Sequence, residues 1–196
     1  MKKIYLFFTL IILSFSTGLS ANSSEDIKRI FEGNVDAKIT IITYESLTCS
    51  HCADFHKNVY PQLKKEFIDK GLVKIEFRHF PLDLAAFNAS KAAQCNNDNS
   101  SNILHILYAN QQKWVKGKTV EEVNIYLKKF LNEKNLNIDY DKCISNKKIE
   151  DYILNDRIEG VQKYKVNATP TIIINNEKFE KSLNYKNLKE YLEKLI

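Results

Sequence analysis

Residues 42–61 read ITYESLTCSHCADFHKNVYP, and the two cysteines in this stretch, Cys49 and Cys52, stand three apart. Upstream, Ala37 to Glu45 (AKITIITYE) is rich in β-branched residues and predicts a strand. From Ser50 the pattern changes: Cys52, Phe55, Val59, Leu63 and Phe67 recur at three- and four-residue steps, the apolar stripe of a helix. Pro61 falls inside that stripe and should kink it, and Gly71 should end it. Leu72 to Phe80 (LVKIEFRHF) then alternates through Val73, Ile75 and Phe77 and is closed by Pro81. The unit is strand–helix–strand, with a helix long enough for a parallel crossover. The cysteine pair sits where the first strand gives way to the helix.

Working outward, SSEDIKRIFEG (residues 23–33) predicts a short helix, with Ser24 as N-cap, Glu25 and Asp26 in its first turn and Gly33 at its end. The middle of the chain, about 84–165, is helical in pattern. It contains LAAFNASKAAQC, SNILHILYANQQKW, the segment opened by the capping-box pair Thr119 and Glu122, and one long segment from about 139 to 164. The tail returns to strands. Pro170 to Asn175 (PTIIIN) is a short β-branched run, Asn175-Asn176 is a turn signal, and EKF can pair back as a hairpin. A final amphipathic helix carries Leu188, Tyr191, Leu192 and Leu195 on one face. The order βαβ, helical block, ββα describes an α/β layer with a helical insertion.

The N-terminus has the grammar of a secretory signal peptide: Lys2 and Lys3, an apolar run from Ile4 to Phe15, then small residues to Ala21. The run is short for an anchor spanning ~30 Å of hydrocarbon. Residues 1–21 are therefore assigned to the signal and 22–196 to one domain. Without Lys2 and Lys3, 27 Lys and Arg face 24 Asp and Glu, so the net charge falls from +5 to +3. Those charges are interspersed, which gives no footprint for nucleic acid. An exported chain meets an oxidising compartment. The spacing of its four cysteines pairs Cys49 with Cys52 and Cys95 with Cys143.

Several chemistries use two close cysteines. Haem attachment requires His directly after the second one, and Ala53 is there. Zinc could draw on Cys49, Cys52, His51 and His56, but a second knuckle of comparable spacing is missing, and no metal or other cofactor is assigned. A purely structural disulfide would close a very small loop and add little chain-entropy stabilisation. A redox pair has a physical basis. Cys49 precedes the first helical turn, where unpaired N–H groups and the macrodipole favour an anion, and His51 lies in that turn. Both lower a thiol pKa, and stabilising the reduced form makes the disulfide a stronger oxidant. Cys52, one turn in, would be the resolving thiol.

The chain resembles the DsbA-type thiol:disulfide oxidoreductases of the thioredoxin superfamily. The resemblance rests on YESLTCSHCADFH, the kinking Pro61, FRHFPLD, the helical insertion and NATPTIIINN, and it covers essentially the whole mature chain. It implies a thioredoxin-like fold and catalysis by Cys49 and Cys52 with His51 supporting the thiolate. It also implies a cis Thr169-Pro170 bond facing the pair, with the Thr169 backbone free to meet a bound peptide. The partners it implies are reduced secreted proteins and a quinone-linked membrane reoxidase, in the periplasm. Three departures stand out. Ser50 replaces the usual proline. Thr43 stands where relatives often bury an acid, so that Glu45, on the same strand face, is either a substitute proton relay or an exposed or salt-bridged strand-end carboxylate. Ala168 replaces a frequent glycine.

Cys95 and Cys143 are expected to form a structural disulfide, the alternative being two buried thiols. His79 and His105 read as surface or packing residues, His56 as a helix-surface residue and Trp114 as core. Periplasmic isomerases place a dimerisation domain before the thioredoxin unit, and only residues 22–37 precede Lys38 here, which favours a monomeric oxidase. The rival readings are a reductase or isomerase on the same fold and a redox-inactive peptide-binding factor.

Overall fold

The computed structural model describes residues 26–136 and 138–196; the expected signal segment, 1–21, lies outside them. Five strands form one mixed sheet: β1 (Ile30–Glu32), β2 (Ile39–Glu45), β3 (Val73–His79), β4 (Thr171–Ile174) and β5 (Glu177–Lys178), in the order β1-β3-β2-β4-β5. β2 and β3 are parallel, in register from Ile39 opposite Val73 to Glu45 opposite His79, and the other pairs are antiparallel. The parallel pair is joined by α1 (Ser50–Asn58), α2 (Tyr60–Leu63) and a π-helical turn, Lys64–Ile68. The stripe breaks at Val59, and Pro61 opens α2, where its missing N–H costs no hydrogen bond. Between β3 and β4 lie α3 (Leu84–Gln94), α4 (Asn102–Ala109), α5 (Gln111–Trp114), α6 (Val120–Glu133), α7 (Tyr140–Ser145) and α8 (Lys147–Tyr164), and α9 (Tyr185–Leu192) follows β5. The fold is thioredoxin-like with a helical insertion.

Strand alternation divides the core. Ile39 and Ile41 face the large core formed with α1, α3, α4, α6 and α9, whereas Ile42 and Tyr44 face a smaller one with Phe80, Tyr164, Val166 and Ile173. Gly160 lets α8 lie directly on the second face, since a Cβ there would sit 2.8 Å from the Tyr44 ring. The same alternation points Glu45, at the end of β2, toward the large core.

The expected helix at 23–33 is a correction. Residues 26–29 have no regular structure and Ile30–Glu32 is an edge strand, with Ile30 opposite Phe77. Burial of Ile30 and pairing with β3 outweigh the local capping signal. Gly33 makes the turn that follows, at φ +94°, where a Cβ would meet Val73 O at 2.3 Å. Two expected single helices are each split. Asn110 separates α4 from α5, and Asn146 separates α7 from α8 because its Oδ1 accepts from the N–H groups of Lys148 and Ile149. Leu195, expected on the buried face of α9, lies beyond its end and is exposed.

Cys95 and Cys143 are joined, bridging the end of α3 to α7 across 48 positions, with Cα atoms 5.4 Å apart. Closing a loop of that length restricts the unfolded chain by about 4 kcal/mol in the chain-entropy treatment. Replacing both cysteines by serine should lower unfolding free energy in urea by a few kcal/mol while leaving Cys49 and Cys52 free to react. An unchanged midpoint would contradict this.

Candidate active site

β2 delivers the chain to a tight loop. The Glu45 carbonyl accepts from Phe80 N at 2.7 Å and the Ser46 carbonyl from Cys49 N at 3.0 Å, while Leu47 is buried as an anchor. Three hydrogen bonds, to Asp83 and Gln111, fix this loop. Thr48 Oγ1 donates to Asp83 Oδ2 at 2.6 Å, and Asp83 in turn N-caps α3 through Ala86 N. Gln111 Nε2 donates to the carbonyls of Leu47 (2.9 Å) and Cys49 (3.0 Å). The insertion is thus tied to the cysteine loop by hydrogen bonds.

Cys49 is the N-cap residue of α1. No side-chain cap and no acidic residue in the first turn compete for the helix's free N–H groups. Its sulfur is half-buried and lies 3.4 Å from the Thr169 carbonyl oxygen. The thiol pKa is lowered from an ordinary value near 9 to about 5. The largest cause is a hydrogen bond from Cys52. The Thr169 side chain and the backbone N–H groups of Cys52 and His51 add to it, against the desolvation of partial burial. His51 itself is exposed, and its backbone N–H is among these donors. Ser50 is exposed as well, at the first position of α1. Cys52 has no exposed surface. Burial first, then the bond it shares with Cys49 and the charge of Glu45, push its pKa well above the ordinary thiol value.

The Thr169-Pro170 peptide bond is cis and lies against the pair from the far side of the cleft. A groove of about 500 Å³ runs from it past α1 to α9, lined in part by Phe55, Val59, Pro170, Leu183 and Tyr185. Its walls are mainly apolar, with His51, Asp54, Asn58 and Asn184 at the rim.

Beneath Cys52 lies a buried polar network. Glu45 is 3 % exposed, which excludes the exposed strand-end role, and its Oε2 meets His56 Nε2 at 2.7 Å. His56 is a second correction: it is buried, not on the helix surface. The stripe that buries Cys52 also buries the residue four positions on, because both lie on one face of α1. Its Nδ1 faces His105 Nδ1 at 3.1 Å, and His105 Nε2 meets Glu32 Oε1 at 2.7 Å. Glu32 also accepts from Tyr60, Ser101 and Lys64. Burial opposes its ionisation, but the bonds from His105, Ser101, Tyr60 and Lys64 hold its carboxyl well below the usual carboxylate range. His79 is buried apart from this network, on Gln94 at 3.2 Å, and desolvation lowers its pKa. Trp114 is fully buried and donates to the Leu107 carbonyl. No group of three or more His, Cys, Asp or Glu is placed to hold a metal ion among the described residues.

A family model described as Thioredoxin matches residues 25–194. A putative protein-disulfide oxidoreductase of Rickettsia bellii is 29% identical over 150 residues, which are 76% of this chain and 57% of that protein. The chain thus spans a little over half the length of that relative. Disulfide bond formation protein D of Bacillus subtilis is 28% identical over 172 residues, 83% of this chain and 74% of that one. Among solved structures, Wolbachia pipientis alpha-DsbA1 superposes with a TM-score of 0.76 at 30% identity, covering 86% of this chain and 90% of that one.

The lowered thiol has a direct consequence. The rate of iodoacetamide alkylation of Cys49 in the reduced protein should rise with pH about a midpoint near 5. Cys52 should stay unmodified in the folded state. A midpoint between 8 and 9, the ordinary ~8.5 of a free thiol, would show that the helix terminus does not act on the sulfur.

Proposed function

The chain belongs to the thioredoxin superfamily, in its DsbA-type branch, and from that premise we propose that it is an exported thiol:disulfide oxidoreductase that introduces disulfides into folding secreted proteins. The observation that carries the proposal is the asymmetry of the pair. Cys49 is a half-buried sulfur stabilised as an anion, and Cys52 is a fully buried one that resists ionisation. A substrate thiolate attacks Cys49 Sγ of the disulfide form. The Cys49–Cys52 bond breaks, and Cys52 leaves with the electron pair and takes up a proton. A second substrate thiolate then attacks the substrate sulfur of the mixed disulfide and releases Cys49 as the thiolate. Two electrons pass from the substrate thiols to the pair. Stabilisation of the released thiolate drives this direction.

Thr169 and Pro170 face the substrate in this scheme, and the groove beside them receives the unfolded chain around the reacting cysteine. Glu45 serves Cys52 as proton acceptor and donor from below. Cys95–Cys143 is structural and takes no part in turnover. The signal-like segment 1–21 carries the chain to the periplasm, where it acts as a monomer. Reoxidation there passes the electrons to a quinone-linked membrane partner.

The test is the equilibrium of Cys49–Cys52 with a glutathione redox buffer. The proposal requires a potential clearly more oxidising than the ~−270 mV of thioredoxin. A value at or below that figure would assign the pair to a reductase. A pair that never exchanges with glutathione would leave only a peptide-binding role.

A further inference from the structure

We propose that His56 and His105 form a proton path that joins buried Glu45 to the partly exposed Glu32 carboxylate and serves Cys52 during exchange. The inference deepens the oxidoreductase reading and rests on it. Cys52 must gain a proton when it leaves Cys49 and lose one when it attacks a mixed disulfide on Cys49, yet no part of it reaches solvent.

The path is continuous in the structure. Glu45 Oε2 meets His56 Nε2 at 2.7 Å, His56 Nδ1 meets His105 Nδ1 at 3.1 Å, and His105 Nε2 meets Glu32 Oε1 at 2.7 Å. The path leaves the buried interior at His105 and Glu32. The His56 side chain is 5 % exposed, that of His105 25 % and that of Glu32 15 %, and Lys64, bonded to Glu32, is 42 % exposed. Both rings are held in place by stacking, His56 on Tyr108 at 4.1 Å and His105 on Tyr60 at 4.5 Å between centroids. The groups that face the row are Cys52 on α1, Glu45 on β2, Glu32 on β1, Tyr60 and Lys64 across the α2 segment, Ser101 before α4, and Tyr108 on α4.

Hydrogen counting fixes the direction of the donors. Glu32 is ionised, so His105 Nε2 donates to it. With Nε2 as its donor, His105 offers Nδ1 as the acceptor of a hydrogen from His56 Nδ1. The Glu45 Oε2–His56 Nε2 contact then holds one proton between the two groups. From His56 outward, every donor points away from Cys52. Glu45 Oε1 is buried, is not engaged by His56 and has the Tyr108 hydroxyl as a neighbour; the Cys52 thiol is close enough to feel Glu45, and Oε1 is the oxygen assigned to exchange its proton.

The transfers balance. When Cys52 attacks a mixed disulfide on Cys49, its S–H bond breaks and Oε1 takes the proton. The proton held between Oε2 and His56 Nε2 settles on Nε2, His56 Nδ1–H passes to His105 Nδ1, and His105 Nε2–H to Glu32, which yields one proton to water. No electrons move along the row. When Cys52 leaves as a thiolate during substrate oxidation, the same transfers run inward.

The test uses His105→Ala and His105→Gln in the full chain, with Cys49 alkylation measured alongside closure of the Cys49–Cys52 disulfide by oxidised glutathione. Closure should slow on the order of 100-fold or more in both variants, with Cys49 alkylation unchanged. Free imidazole should restore closure in the alanine variant, because an open cleft of about 580 Å³ lined by Tyr60, His105, Tyr108 and Gln112 admits it. Glutamine keeps a hydrogen-bonding amide that cannot pass a proton, and it carries the test if the alanine variant does not fold. Closure at the wild-type rate in either folded variant, or a loss in the alanine variant that imidazole does not restore, would overturn the path. Wild-type protein that forms no Cys49–Cys52 disulfide with oxidised glutathione would overturn the oxidoreductase reading and the path with it.

Discussion

The structure depends on one electrostatic arrangement: the sulfur of Cys49 held by the Cys52 thiol at the open N-terminus of α1. A helix start normally recruits a side-chain cap or an acid to its unpaired N–H groups. Here α1 has neither, and the residue at the cap position is a cysteine. The Cys52 thiol acts most strongly on that sulfur, and the N–H groups of Cys52 and His51 add to it. The loop that holds it in place is clamped from both sides, by Leu47 buried in the core and by Thr48 and the Cys49 carbonyl bonded to the insertion. The cis Thr169-Pro170 segment closes the remaining side. Sheet and insertion therefore converge on holding one half-buried sulfur ready to carry charge.

The same geometry has a cost on the other sulfur. Placing Cys49 at the helix start puts Cys52 one turn in, where burial and the neighbouring Glu45 charge penalise its thiolate. A buried ionisable group needs a partner, or its charged form is strongly disfavoured. β2 supplies Glu45, α1 supplies His56, α4 supplies His105 and the edge strand supplies Glu32, so four separate elements meet in one row. The insertion thus helps to hold the loop and also adds the histidine through which the row approaches the surface.

Much of the scaffold was legible in the residues themselves. The βαβ unit followed from β-branched runs on either side of a helical stripe, and the placement of Cys49 at a strand-to-helix junction followed from the change of period at Ser50. Where the sequence misled, tertiary contacts outweighed local signals. Ser24 to Gly33 has good helix punctuation, but Ile30 is buried in a strand paired with β3. His56 looked like a surface residue because a histidine on a helix usually is one. The signal that could have placed it was its four-residue offset from Cys52, which puts it on the buried stripe. Glu32 and His105 carried no such signal, since they lie 73 residues apart and only the folded sheet edge brings them together. Gln111 was equally silent, because its contacts are to backbone carbonyls more than 60 positions away.

The central claim is that the fold stabilises the reduced pair through the Cys49 thiolate. A thiol whose pKa is lowered on folding contributes stability that is fully present above its ordinary value near 9 and is lost as pH falls through about 5. The disulfide form has no such titration. Urea unfolding of the reduced and oxidised proteins between pH 5 and pH 8 measures the difference directly. The account predicts that the reduced protein is the more stable at pH 7 and that its advantage shrinks toward pH 5. An oxidised form that is more stable at pH 7, with a gap that does not change with pH, would contradict it.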